Sequence, residues 1–119
     1  MDTLTQLKTR LREFVAARDW EQFHSPKNLS MALAVEAAEL LEPFQWLTEE
    51  QSRSLTDAQR AAVVQEIADV QIYLVRLADT LGVDIDKAVA AKMALNEKKY
   101  PVHMARGSAD KYTDFEDGG

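Results

Sequence analysis

The sequence predicts an all-α protein, a four-helix bundle, and three observations carry that expectation. Apolar residues recur at helical spacing in four segments, helix start and stop signals bracket those segments, and no stretch shows the strict alternation of a half-buried strand. The 119 residues are 46% apolar and 29% charged, the balance of one compact domain and not of a disordered chain. Only four glycines and three prolines are present, which excludes collagen-like and linker-like chains.

The first helix opens with Thr3 and Gln6 at capping-box spacing and carries Leu4, Leu7, Leu11, Phe14 and Val15 on one stripe, ending near Arg18. An aromatic loop, Asp19-Trp20-Glu21-Gln22-Phe23-His24-Ser25-Pro26-Lys27, follows. Ser25 or Asn28 caps a second helix that runs to about Trp46. Pro43 lies inside that pattern and should kink or end it, because proline offers no backbone N–H. The third and longest helix starts at Thr56, with Gln59 completing a capping box, and continues to Leu81 before Gly82 stops it. Asp84 caps a fourth helix from Ile85 to about Lys99, closed by Tyr100-Pro101. The last twenty residues read as irregular, with 1–114 forming a single domain and 115–119 a mobile tail.

The second and third helices are apolar almost all round. On the third, Val63, Ile67, Val70, Leu74, Leu77 and Leu81 form one stripe and Val64, Ala68, Ile72 and Val75 another. A helix coated on two sides must be covered on both, so the expected assembly is a homodimer or a dimer of dimers.

Composition narrows the function classes. Without cysteine there are no disulfides, thiolate zinc sites or cysteine nucleophiles. No apolar run approaches a membrane span, and Met1 to Arg12 alternates polar and apolar residues where a signal peptide needs an unbroken apolar stretch. The expectation is an unprocessed, cytoplasmic protein that does not bind membranes. The net charge of -6 argues against gripping a nucleic-acid backbone. A small anionic substrate would need a bridging cation.

Two acid-x-x-acid pairs supply its ligands: Glu36 and Glu39 on the second helix, Glu66 and Asp69 on the third. Each pair points two carboxylates in one direction from an apolar stripe, and a short connection between consecutive helices lets all four converge. Clustered carboxylates repel and are expensive to desolvate, so a counter-cation is implied. An all-oxygen donor set suits Mg²⁺; zinc prefers nitrogen or sulfur, and the di-iron bundle needs Glu-x-x-His on two helices, whereas His24 and His103 lie outside the helical patterns. Single acid pairs are commonly solvated faces, but two pairs set into apolar stripes favour a metal.

Lys92, Asn96 and Lys99 recur at i, i+4 and i+7 on the fourth helix, with Tyr100 beside them. They either contact phosphate oxygens or form a solvated helix end with lysines complementing the dipole. Trp20, Phe23, Trp46 and Tyr73, with His24 as a polar tip, could sandwich a nucleobase; core packing is the favoured reading for Phe23 and a strong competitor for Tyr73.

Taken together, Glu36-x-x-Glu39 and Glu66-x-x-Asp69 resemble the MazG-like all-α nucleoside triphosphate pyrophosphohydrolases. The aromatic loop, Phe44-Gln45-Trp46, Ile72-Tyr73-Leu74-Val75 and the segments Tyr100-Pro101-Val102-His103, Arg106-Gly107-Ser108-Ala109 and Lys111-Tyr112-Thr113-Asp114 extend the likeness to the dCTP-directed branch, over nearly the whole chain. The resemblance implies that Glu36, Glu39, Glu66 and Asp69 bind Mg²⁺, that Trp20, Glu21, Gln22, Phe23, His24, Trp46 and Tyr73 line a nucleotide pocket, and that the assembly is a tetramer. Pro43 and Leu11 depart from the family pattern, the latter standing where the family has a substrate-touching histidine. The expected reaction is attack of water on the α-phosphorus of a deoxynucleoside triphosphate, with Glu36 or Glu39 taking the proton and Lys92 and Lys99 stabilising the leaving pyrophosphate. A broad-specificity pyrophosphohydrolase and a non-catalytic helical bundle that binds metal or a partner through its acidic faces are the alternatives.

Overall fold

The computed structural model describes residues 2–109 and Thr113, and every element among them is helical. Helix α1 spans Thr3–Ala17, α2 Pro26–Leu41, α3 Glu49–Ser52, α4 Asp57–Thr80, α5 Ile85–Lys99 and α6 Val102–Ala105, with a single 3₁₀ turn at Glu21–Phe23. No described helix is long and apolar enough to cross a membrane. The chain divides into two compact units, Met1–Val83 and Asp84–Gly119. The proposed tail, 115–119, and Lys111, Tyr112 and Asp114 of the final resemblance segment lie outside the described residues.

In the first unit, α2 and α1 both pack against α4. Leu11 and Val15 from α1, Leu29 from α2, and Val63, Val75 and Ala78 from α4 are the buried apolar residues. Leu29, 1% exposed, contributes roughly 2 kcal/mol by leaving water.

Local signals set the helix ends. Asp2, not Thr3, caps α1, its Oδ1 accepting from the Thr5 N–H at 2.8 Å; Thr3 is already helical. Ser25 caps α2 by accepting from the Asn28 N–H, and Pro26 at the first position needs no backbone donor. That helix stops at Leu41, short of the expected Trp46: Glu42 caps it, and Pro43 falls in the turns that follow, where its missing N–H breaks no helical ladder. The expected connection contains an extra helix, α3, because Thr48 and Gln51 close a capping box on each other. Thr56 and Gln59 do the same for α4.

The end of α4 is a Schellman turn: the Val83 N–H reaches the Ala78 carbonyl at 2.8 Å and the Gly82 N–H the Asp79 carbonyl, with Gly82 at φ +68 as the left-handed residue. The end of α1 repeats the pattern without glycine. Asp19 takes φ 53 while the Asp19 and Trp20 N–H groups reach the carbonyls of Ala16 and Val15. This reversal turns Trp20 back toward α1, where its ring meets Phe14 edge-on at 5.7 Å.

In the second unit, Asp84 caps α5, which ends at Tyr100 before Pro101 as the sequence predicts. The following segment, expected to be irregular, forms the four-residue α6.

Candidate active site

Two consecutive turns on α2 present Glu36 and Glu39, and two on α4 present Glu66 and Asp69. Because α2 lies along α4, carboxylate oxygens of Glu36, Glu39 and Glu66 come within 4.8 Å of one another, each on a half-buried residue. Glu36 Oε2 and Glu66 Oε2 are buried and accept no hydrogen bond. Leaving such oxygens unsatisfied is costly, and an oxygen-only donor set with free lone pairs is what a hard divalent cation requires. The cluster therefore fits Mg²⁺ on its own chemistry.

Electrostatics agree with the geometry. The adjoining Glu66 carboxyl, with burial second and the Asp69 charge adding to it, pushes Glu36 above the usual carboxylate range. Contact with Glu36 and its charge push Glu39 up as well, with Asp69 again contributing. Without a cation these groups hold their protons to higher pH than a free carboxyl does; a divalent ion opposes that shift by favouring the charged forms.

Asp69 has a second role as a boundary. It faces this acidic cluster electrostatically and also lines a cavity of about 420 Å³ walled by Leu11, Phe14, Trp20, His24, Tyr73 and Arg76, with Leu7, Arg10, Val15 and Ile72 completing the lining. The helical period explains the α4 wall, since Asp69, Tyr73 and Arg76 sit at i, i+4 and i+7 on one face. Trp20 and His24 come from the loop after α1, their rings 6.5 Å apart and tilted. Asn28 ties that loop to α2 by donating to the Phe23 carbonyl at 3.1 Å.

The structure thus brings Trp20, His24 and Tyr73 together with Asp69. Other expected pocket residues are placed elsewhere. Glu21 lines a separate cleft with Arg12, Glu13 and Asp79. The Gln22 amide is turned back, donating to the carbonyl and carboxylate of Asp19. Phe23 is 59% exposed, so core packing does not account for it, and Trp46 is 87% exposed in the turns after α2. Lys92, Asn96 and Lys99 lie on α5 and Tyr100 at its cap, in the second unit; Asn96 and Lys99 are half-buried, and Lys98 and Lys99 occupy the last turn, where they complement the helix dipole.

Sequence reasoning passed over Arg76. It is 7% exposed, and its Nε donates to His24 Nδ1 at 3.4 Å while Nη1 stands 3.5 Å from Asp79 Oδ2. Asp79 in turn accepts two hydrogen bonds from Arg12, at 2.6 and 2.7 Å, and Arg12 holds its carboxyl below the usual range. The available signal was the one that singled out the acids: a charged residue set among the apolar positions of α4.

An all-helical fold with two facing acid pairs beside an aromatic cavity defines a class, and comparison with known proteins agrees. The chain belongs to the MazG-like family, whose model matches residues 31–115. It is 49% identical to dCTP pyrophosphatase 1 of Mus musculus over 118 residues, 98% of this chain and 69% of that protein. It is 48% identical to dCTP pyrophosphatase 1 of Bos taurus, over 98% of this chain and 70% of that one, and 46% identical to the Homo sapiens protein of the same name, over 98% and 69%. A crystal structure of a pyrophosphatase from Archaeoglobus fulgidus superposes with a TM-score of 0.80 at 40% identity, covering 85% of this chain and 94% of that one.

Proposed function

We propose that this chain is a Mg²⁺-dependent nucleoside triphosphate pyrophosphohydrolase that converts dCTP, or a modified dCTP, and water to dCMP and pyrophosphate. The observation that carries this reading is the junction at Asp69: a cluster of unsatisfied carboxylates on one side and an aromatic cavity on the other. The names of the dCTP pyrophosphatase relatives, nearly half identical over almost the whole chain, support the substrate.

Glu36, Glu39, Glu66 and Asp69 would hold the Mg²⁺, which when bound neutralises phosphate charge and makes the α-phosphorus more electrophilic. Glu36 or Glu39 orients the attacking water and takes its proton, a role open to a carboxylate with an oxygen not committed to another partner. Trp20 and Tyr73 bracket the base inside the cavity, and His24 supplies a polar contact. Lys92 and Lys99, with Asn96 and Tyr100, stabilise the departing pyrophosphate. Glu21, Gln22, Phe23 and Trp46, which do not line the cavity, would contact the nucleotide from outside it. The working unit is one domain over 1–114, a four-helix bundle paired into a homodimer or homotetramer. Exposed Met31 and Val35 on α2 and Val64 and Ile67 on α4 support that assembly, since a second copy would cover them. Nucleic acid and membrane play no part, and the cytoplasm is the setting.

A broad-specificity enzyme has one observation in its favour: Glu21 and Gln22, two of the polar residues the resemblance assigns to the nucleotide pocket, do not line the cavity. The test compares kcat/KM for dCTP, dUTP, dTTP and ATP in Mg²⁺. A preference for dCTP, lost in Glu36→Gln together with pyrophosphate release, is the expected result. A flat profile would overturn the dCTP assignment, and an active Glu36→Gln would overturn the site.

A further inference from the structure

We infer that Arg76 is a positioning residue that sets which base the cavity accepts, by holding His24 neutral with its hydrogen on Nε2. This rests on the functional reading above and adds a mechanism for its base preference.

The geometry constrains the imidazole from one side. A ring nitrogen that accepts a hydrogen bond carries no hydrogen, and Arg76 Nε–H donates to His24 Nδ1 at 3.4 Å. The single hydrogen of a neutral ring is then on Nε2, the nitrogen left free for a ligand. A guanidinium cannot lose its proton to reverse this arrangement, and its charge opposes protonation of the ring. Burial, aided by Arg76, also holds His24 below its ordinary value of 6.5, so the ring is neutral at pH 7. Arg76 is fixed in turn: it is 7% exposed, it faces Asp79, and Asp79 is gripped by Arg12.

His24, Arg76, Trp20 and Tyr73 line the same cavity as Asp69. Asp69 belongs to the cation end, and Arg76 lies seven residues further along α4, about 10 Å at the helical rise. That separation places the His24 end at the base of a nucleotide whose phosphates lie at the acidic cluster. There a fixed N–H donor is selective. The pairing edge of cytosine offers acceptors at N3 and O2, whereas uracil and thymine carry a hydrogen on N3. A donor held opposite N3 pairs with cytosine and confronts the N3–H of uracil. An imidazole free to move its hydrogen to Nδ1 would present an acceptor and admit uracil as well. Arg76 touches no part of the reaction in this scheme; it acts through His24.

The test uses the full chain and two readouts. Imidazole ¹⁵N NMR, with only His24 and His103 to distinguish, reports the tautomer. Steady-state kinetics in Mg²⁺ report the ratio of kcat/KM for dCTP over dUTP. We expect the Nε2–H tautomer in the unmodified protein, a mixture of tautomers in Arg76→Met, and a dCTP/dUTP ratio lower by about tenfold in that variant. In a His24→Ala background, Arg76→Met should lower the ratio no further, because the two residues act as one unit. If Arg76→Met does not fold, Arg76→Lys, which keeps the charge opposite Asp79 and loses the planar donor, serves in its place and should lower the ratio in the same direction. An Nδ1–H tautomer in the unmodified protein, an unchanged ratio in the folded Arg76 variant, or an equal fall with and without His24 would each overturn the inference while leaving the pyrophosphohydrolase reading intact. An unmodified protein that releases no pyrophosphate from dCTP would overturn both.

Discussion

Replacing Glu66 with Gln separates the structural from the functional consequences of the acidic cluster, because the two should move in opposite directions. Glu66 shares with Glu36 and Glu39 a region in which their oxygens lie within 4.8 Å. Two like charges at that distance repel by about 1 kcal/mol if water screens them fully, and by more where the site is partly closed. Glu66→Gln removes one charge and retains the shape, so the metal-free variant should be more stable than the unmodified protein by about 1 kcal/mol, roughly 4 °C in Tm for a chain of this size. Adding Mg²⁺ reverses the order. A cation at a hundred times its Kd stabilises the unmodified fold by about 2.7 kcal/mol and should do much less for a variant lacking a ligand. Thermal melts in EDTA and in Mg²⁺, with pyrophosphate release measured in parallel, read both effects. A variant less stable than the unmodified protein in EDTA and equally stabilised by Mg²⁺ would refute the idea that these carboxylates form a cation site.

Three further outcomes follow from the same geometry. Glu36 and Glu39 are pushed up, so the folded state holds more protons than the unfolded one just above the ordinary 4.5; metal-free stability should therefore fall as pH rises through that window, and the Mg²⁺-induced rise in Tm should be larger at pH 8 than at pH 5.5. Asp79→Asn leaves the buried Arg76 guanidinium without its anion and should lower stability by about 3 kcal/mol in urea unfolding; in the unmodified protein, the hold of Arg12 on Asp79, with a smaller share from Arg76, makes stability decline as pH drops below 3.8 toward the depressed value of Asp79. Trp20→Ala removes a stacking face from the cavity and should raise the KM for dCTP by roughly tenfold with a smaller change in kcat, while an unchanged KM would take Trp20 out of the pocket.

Much of this molecule was legible because its local signals are strong and agree with its apolar periodicity. The boxes at Thr56 and Gln59, the caps at Ser25 and Asp84, and the stop at Gly82 all fall where side-chain chemistry alone puts them. The acid pairs were legible for a different reason, namely that a carboxylate within an apolar stripe conflicts with burial unless something balances it. Errors arose where two residues compete for one task. Asp2 and Thr3 can each cap α1, and the aspartate sits one position earlier with its carboxylate on the Thr5 N–H. Leu41 to Trp46 keeps a helical apolar pattern, yet Pro43 denies it a continuous ladder, so the chain turns instead. The box of Thr48 and Gln51 was readable but starts a helix of only four residues, too short to show periodicity. Arg76 stood out locally as a charge among the apolar positions of α4, with Asp79 three residues on, but its contact with His24 and the Arg12 clamp on Asp79 come from distant parts of the sequence and could not be read there.

The most direct measurement of the central claim is to hydrolyse dCTP with the full chain and Mg²⁺ in ¹⁸O-labelled water and analyse the products by mass spectrometry. Equal amounts of dCMP and pyrophosphate, with the label in dCMP and no turnover in EDTA, are what the account requires. Release of orthophosphate with dCDP, label in pyrophosphate, or turnover that persists without a divalent cation would contradict it.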